Sequence, residues 1–361
     1  MKRAAVKQVA MPEPAEKLTL QQEHKLRREL RELREQLRAQ VGTVVLNQEY
    51  QQFVAEVAKL RAAPPAWCVK AKPHRARQAI PLLHLSDAHF DEVVDAAQVG
   101  GLNCYTREIA LGRLRRFFEK GVAICDDYLK GVDYPGVVCA VSGDMFSGSI
   151  HEELKETNEA GLCESLRYWI DPLYAGIQML AERFGKVRVP WVVGNHPRLE
   201  KKPRAKGGVR DNFDWLLGSM LARDFARAGD KRVTFEISDS FDHQFNVYGL
   251  RVLQTHGDQF RGGGGISAAL SPWFIGDARK RERYQAVKQP YDVLIMGHWH
   301  WRVCLPSIKG NGSLKGIDEY AYRGNFKFQE PVQSLMLVTP EHGITIEAPI
   351  FVKAEKEGWE R

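Results

Sequence analysis

Five apolar runs in this sequence end in the same kind of residue, and that regularity constrains the fold more than any other feature. AIPLLHLS runs into Asp87 and His89, GVVCAVS into Gly143 and Asp144, and VRVPWVV into Gly194, Asn195 and His196. NVYGLRVLQT runs into His256, and YDVLIM into Gly297, His298 and His300. Short runs rich in β-branched residues and bounded by turn residues read as buried strands. Between them, residues 105–130 and 162–184 carry helical periodicity. In the second stretch Leu162, Leu166, Ile170, Leu173, Ile177, Leu180 and Phe184 fall on one stripe. Strands alternating with helices predict an α/β layered domain. The closing stretch SLMLVTPEHGITIEAPIFV reads as a β-hairpin that turns at His342-Gly343.

Ligands of α/β sheets gather beyond the carboxyl ends of the strands, and all five polar clusters fall there. Taken singly, each has a plain structural reading: Asp87 or Asp144 as a helix cap, Asn195 in a tight turn, His256 as a core histidine. Together, five clusters at five strand ends predict one site. In LIMGHWHW, an extended strand would point residues i and i+2 to one face, so His298 and His300 are expected to leave the sheet side by side. Imidazole is the commonest protein nitrogen ligand. A set that mixes carboxylates, an amide oxygen and imidazoles suits Mn²⁺, Fe²⁺, Zn²⁺ or Ni²⁺, whereas an all-oxygen set would favour Mg²⁺ or Ca²⁺.

The ordered set DxH, GD, GNH, H and GHxH, spread from residue 80 to about 350, resembles the calcineurin-like metallophosphoesterases. That resemblance implies a four-layer α/β architecture, a β-sandwich flanked by helices, over residues 80–361. It also implies a centre of two divalent transition metal ions, with Mn²⁺ the first expectation. Carried over position by position, Asp87, His89 and His300 would bind one ion, Asn195, His256 and His298 the other, and Asp144 both. The expected reaction is attack of a hydroxide shared by the two ions on phosphorus, with no covalent protein intermediate. His196 matches the histidine that protonates the leaving oxygen or stabilises the transition state. Relatives commonly place an acidic residue directly after that histidine, and Pro197 stands here instead. Asp258 and Asp91 are the candidates to orient His196. GDMFSG resembles the double-strand-break repair exonucleases of the superfamily, which place a further histidine close behind that motif; His151 lies in that region. SDAHFDEVV, HGDQFRGG and NGSLKGIDEYA are similar to metallophosphoesterases of tailed bacteriophages and prophages.

Charge narrows the partner. The 361 residues carry a formal +7, but residues 1–40 hold +4 and residues 198–210 hold +5, leaving about −2 for the rest. Such localisation predicts an anionic partner, here a nucleic acid or a nucleotide. Arg198, Lys202 and Arg261, the last beside a run of four glycines, are the candidate substrate-binding cations, with His151. In residues 1–62, Leu26, Leu30, Leu33 and Leu37 form an apolar seam for a helical arm. That arm fits a helix-turn-helix reader, a homodimer contact or a packing element, and prolines in residues 63–79 predict a linker behind it. No apolar run is long enough to span a bilayer. The start has no apolar core of signal-peptide length, and the six cysteines show no CxxC spacing, so a cytoplasmic protein with reduced thiols is expected, in the bacterial host if phage-encoded. The expected activity is a metal-dependent phosphodiesterase or nuclease. A phosphomonoesterase or protein phosphatase of the same fold, and a nucleic-acid-binding protein with a vestigial metal centre, are the alternatives.

Overall fold

A computed structural model describes residues 65–69, 77–261, 270–355 and 357. The expected helical arm, and the four-glycine run at 262–265, lie outside the described residues. In chain order the elements begin with α1 (Ala66–Val69), β1 (Arg77–Gln78), β2 (Ile80–Leu85), α2 (Arg107–Ala123), β3 (Val132–Asp133) and β4 (Val137–Ser142). They continue with α3 (Glu152–Thr157), α4 (Leu162–Phe184), β5 (Val187–Val192), α5 (Phe213–Arg227), β6 (Val233–Ile237), β7 (Asp242–Val247) and β8 (Leu250–Thr255). The last are α6 (Ser271–Ala286), β9 (Val293–Met296), β10 (Val303–Cys304), β11 (Ile308–Gly310), α7 (Glu319–Arg323), β12 (Val332–Thr339) and β13 (Gly343–Phe351).

Two mixed sheets carry the fold. One has the order β13-β12-β2-β4-β5-β6 and the other β10-β11-β9-β8-β7. β2, β4, β5 and β6 pair in parallel, as do β8, β9 and β11, so each sheet gathers its ligand-bearing strand ends at one edge. Parallel strands need crossovers, and helices supply them. β2, β4 and β5 are buried along their whole length, as near-continuous apolar runs require when both faces are covered.

Side-chain alternation sorts the core into layers. Leu82, Val138 and Ala140 pack with Val252, Val293 and Ile295 between the two sheets. Their neighbours Leu83, Cys139 and Val141 point the other way, against Phe117, Trp169, Leu173 and Leu217 of α2, α4 and α5. On the outer face of the second sheet, Leu253, Leu294 and Met296 meet Trp273 of α6. The result is helix, sheet, sheet, helix: a four-layer α/β sandwich. Each apolar side chain so buried contributes ~1.5–3 kcal/mol. Local signals agree with the boundaries. The Thr106 hydroxyl accepts the Ile109 N–H at the start of α2, and α4 stops at Gly185 in the left-handed conformation (φ 72°).

Three expectations change. Residues 63–79 are not only a linker: Cys68 of α1 is buried between the sheets, and β1 pairs with β3. The NVYGLRVLQT region is two strands, β7 and β8, paired antiparallel across Tyr248 and Gly249, both at positive φ. And β9 ends at Met296, so His298 and His300 are not on a pleated strand. Their shared direction has another cause, given below.

Candidate metal centre

The five clusters converge. Each side chain leaves within a few residues of the C-terminal end of its strand: Asp87 and His89 after β2, Asp144 after β4, Asn195 and His196 after β5, His256 after β8, and His298 and His300 after β9. Five of these residues are themselves left-handed: Asp87 (φ 52°), His89 (46°), Asp144 (52°), His298 (68°) and His300 (51°). For residues other than glycine that backbone costs ~1–2 kcal/mol each. It persists where surrounding bonds over-determine it, which is a mark of functional sites. Here the Asp87 N–H donates to the Gly143 carbonyl (3.1 Å), the His89 N–H to the Asp144 carbonyl (3.0 Å), and the His298 N–H to the Asp87 carboxylate (2.9 Å). The ligand loops therefore hold one another in conformations that strand pleating would not produce.

Glycine before the ligand has a spatial reason at two of these loops. A Cβ on Gly194 would collide with Asp144, and one on Gly297 with Asp87. The loops are packed backbone against side chain.

The donor atoms form three overlapping groups, each within 4.8 Å: Asp87, His89 and His300; His89, Asp144 and His196; and Asp144, His256 and His298. The Nε2 atoms of His89 and His300 face each other at 3.1 Å, and His300 Nε2 lies 3.4 Å from Asp87 Oδ1. His256 Nε2 lies 3.0 Å from Asp144 Oδ2 and 3.1 Å from Asn195 Oδ1. Asp144 Oδ2 is also 3.9 Å from His89 Nε2, so this one carboxylate adjoins both ends of the cluster. Asp87, His89, Asp144 and His256 are all buried to 1% exposure or less.

The chemistry of this donor set fits a pair of divalent cations. The outer nitrogen of His256, Nδ1, lies 2.7 Å from the Ser142 carbonyl oxygen; donating there turns Nε2 toward the cluster, where a bound cation would take the place of its proton. Burial, with Lys315 nearby, holds His89 down at about 4, and burial with His256 beside it holds His298 at about 3. Both are thus neutral imidazoles, the form that binds a metal. Burial alone would lower His256 too, but Asp144 overrides it and pushes that ring up to about 10. Burial opposes ionisation of Asp87, and His300 prevails, bringing it to about 2. Two carboxylates charged at neutral pH and buried this deeply favour cationic partners.

Three supporting groups were not legible in the sequence. Asp214, fully buried at the start of α5, accepts the backbone N–H groups of Asp144 (2.8 Å), Met145 (3.1 Å) and Gly194 (2.9 Å). It clasps the GD loop to the GN loop, and burial together with Asp144 pushes its carboxyl up to about 7. Glu92 Oε2 lies 3.3 Å from His89 Nδ1, and Glu92 in turn accepts from Lys315 Nζ (2.7 Å) and the Ser147 hydroxyl (3.2 Å). Burial would raise the Glu92 carboxyl, but Lys315 and His89 outweigh it and keep it well below the carboxylate range. The third is the carbonyl of Ser147, which lies 2.9 Å from His196 Nδ1. The His196 N–H also donates to Asp144 Oδ1 at 2.8 Å.

That arrangement corrects the expected orienting carboxylate. Asp91 is engaged elsewhere, accepting from Arg107 and from Trp169 Nε1 (3.0 Å), and Asp258 lines a groove beside Asn195. The substrate-binding candidates separate as well. Arg198 spends its guanidinium on the carbonyls of Asn195 (2.7 Å), Glu200 (2.9 Å) and Lys201 (2.8 Å), so it braces its own loop. Lys202 lines the same groove as Asn195. The ring of His151 is 5.7 Å from that of His196. Arg261 is exposed, at the edge of the described residues. Trp299 and Trp301, beside the ligands, pack toward Trp273, each ring 6.0 Å from it.

Among the described residues, no helix is long and apolar enough to cross a membrane. No family model and no curated protein matches the chain. Solved structures do. A predicted phosphoesterase from Streptococcus pneumoniae shares 14% identity over 75% of this chain and 97% of its own, with a TM-score of 0.25. Vacuolar Protein Sorting 29 from Cryptosporidium parvum shares 12% over 75% and 96%, with 0.31. A dimetal phosphatase from Danio rerio shares 11% over 76% and 99%, with 0.37. The donor set itself, and not these distant likenesses, carries the chemistry below.

Proposed function

We propose that this protein is a two-metal phosphoesterase that hydrolyses phosphodiester bonds in a nucleic acid or a nucleotide. The single observation that carries the reading is the convergence of seven donors from five strand ends into overlapping groups, two of which contain Asp144, while His89 links the third to them. Asp87, His89 and His300 would hold one cation, and Asn195, His256 and His298 the other, with Asp144 between them. Mn²⁺ is the first candidate for this donor set, followed by Fe²⁺, Zn²⁺ and Ni²⁺. A bound pair of such ions acidifies water and clamps the oxygens of a phosphoryl group.

The chain's own groups do the rest. Asp144 and the Ser147 carbonyl grip His196 at its backbone and at Nδ1, which leaves Nε2 to act. Protonated there, His196 delivers the proton to the leaving oxygen. The left-handed ligand loops keep the donors in place without further rearrangement. The diester preference is supported by the +5 stretch at 198–210, which begins two residues after His196, and by Lys202 on the groove beside Asn195. The resemblance of GDMFSG to the repair exonucleases favours the same choice, whereas the resemblance to bacteriophage enzymes does not bear on the substrate. Residues 1–62, basic over their first forty, would give a second anionic contact or a homodimer surface.

The test is hydrolysis by Mn²⁺-loaded protein of linear DNA, bis-p-nitrophenyl phosphate and p-nitrophenyl phosphate. Cleavage of the two diesters is expected. Preference for the monoester with inert DNA would move the assignment to a phosphomonoesterase or protein phosphatase of the same fold. Inertness to all three would leave a binding protein with a vestigial centre.

A further inference from the structure

Residues 320–328 read YAYRGNFKF. Four aromatic rings in these nine residues face solvent: Tyr320 is 72% exposed, Tyr322 47%, Phe326 57% and Phe328 44%. Large aromatic side chains are strongly favoured inside a fold, so a cluster left outside marks a contact surface. The cluster is built rather than frayed. The Asp318 carboxylate caps α7 through the Ala321 N–H (2.7 Å), and Asn325 turns the chain at φ 55°. The Phe326 N–H then donates to the Ala321 carbonyl (2.9 Å), and the rings of Tyr320 and Phe326 meet edge to face at 5.6 Å. Arg323 and Lys327 alternate with the rings, and no acidic residue stands between Glu319 and Glu330.

Its position ties it to the candidate centre. Lys327 Nζ lies 5.3 Å over the Trp301 ring, and Gln329 Oε1 accepts the Arg302 N–H at 2.6 Å. Trp301 and Arg302 follow His300 directly. At the other end, Asp318 shares Lys315 with Glu92, the carboxylate behind His89. The aromatic segment is therefore anchored at both ends to groups that adjoin ligands.

We infer that residues 320–328 form a stacking platform for single-stranded nucleic acid. Exposed aromatic faces take successive bases whatever their sequence, and interleaved cations meet the phosphates between them. Base faces are open in a single strand and hidden in a duplex, so the surface selects unpaired substrate. The inference deepens the phosphodiesterase reading above and rests on it for the chemistry of the partner.

Two measurements on the full-length chain test it. The first is binding of a fluorescein-labelled oligothymidine and of a hairpin duplex in EDTA. The second is hydrolysis of bis-p-nitrophenyl phosphate by the Mn²⁺-loaded protein. Tyr320→Ala/Phe326→Ala and Tyr322→Ala/Phe328→Ala are each expected to weaken oligothymidine binding about tenfold or more, the scale of losing one or two stacked bases. Duplex affinity, thermal unfolding and hydrolysis of the small diester should stay near wild type, and Tyr320→Phe should keep full binding. Unchanged oligothymidine affinity in both double variants overturns the platform. So does equal loss of single-strand and duplex binding, or a dimer that dissociates in the variants while oligothymidine affinity holds. The two readings fail separately. An inert small diester with stacking-dependent binding removes the hydrolase and keeps the platform, while the converse removes only the platform.

Discussion

Asp214 shows how much of this centre depends on groups that touch no substrate. Its two oxygens satisfy three backbone N–H groups from two ligand loops, inside a layer that water does not reach. Asp214→Asn keeps the volume but puts an amide donor against at least one of those N–H groups. Each buried donor left unsatisfied costs ~1–3 kcal/mol. The variant is expected to unfold at lower temperature and to retain less metal after gel filtration; wild-type values of both would remove Asp214 from the support of the site. His196 is the opposite case. Its side chain adjoins the cluster but answers to the Ser147 carbonyl. His196→Ala should keep its metals and lose diester hydrolysis by about 10²–10⁴, the usual weight of a positioned general acid. Activity near wild type with full metal content would take it out of the mechanism. Neither partner of these residues was legible: Asp214 lies seventy residues from Asp144, and a carbonyl leaves no mark on sequence.

At the scale of elements, what was readable was what is locally encoded. Buried parallel strands must be apolar along both faces, so β2, β4, β5 and β9 stood out, and each ended where its polar cluster began. The long stripe of α4 was readable for the same reason, although Trp169 takes the fully buried place expected of Ile170. The half-buried strand β6 and helix α6, which buries little besides Pro272 and Trp273 of its apolar residues, offer weaker patterns and were not foreseen. The reason His298 and His300 point together was also hidden, because left-handed backbone at a histidine comes from neighbouring loops and not from its own preference. The 198–210 segment belongs to this scale too. Lys201 pairs with Glu152 at 3.1 Å, and Arg204 with Glu200 and Asp211, yet such exposed pairs are worth little and yield to a phosphate. Replacing Lys201, Lys202, Arg204 and Lys206 by Gln should flatten the salt dependence of DNA binding by ~0.7–0.9 in log–log slope for each phosphate no longer neutralised. An unchanged slope would place the substrate elsewhere.

In the molecule as a whole, the candidate ligands come from both sheets. Asp87, His89, Asp144 and Asn195 follow strands of the six-stranded sheet, and His256, His298 and His300 follow strands of the five-stranded one. Cations held among them would fasten the two halves of the sandwich at one edge, beyond the apolar layer of Leu82, Val138, Val252 and Ile295. The claim on which the rest depends is that these side chains hold two metals through a common carboxylate. Elemental analysis of Mn²⁺-loaded, gel-filtered protein tests it most directly, run on wild type, on Asp144→Ala and on His300→Ala. Two ions per chain are expected in wild type, at most one in His300→Ala, and a loss at both positions in Asp144→Ala. Wild-type protein that emerges without transition metal, or a stoichiometry indifferent to both substitutions, would contradict it.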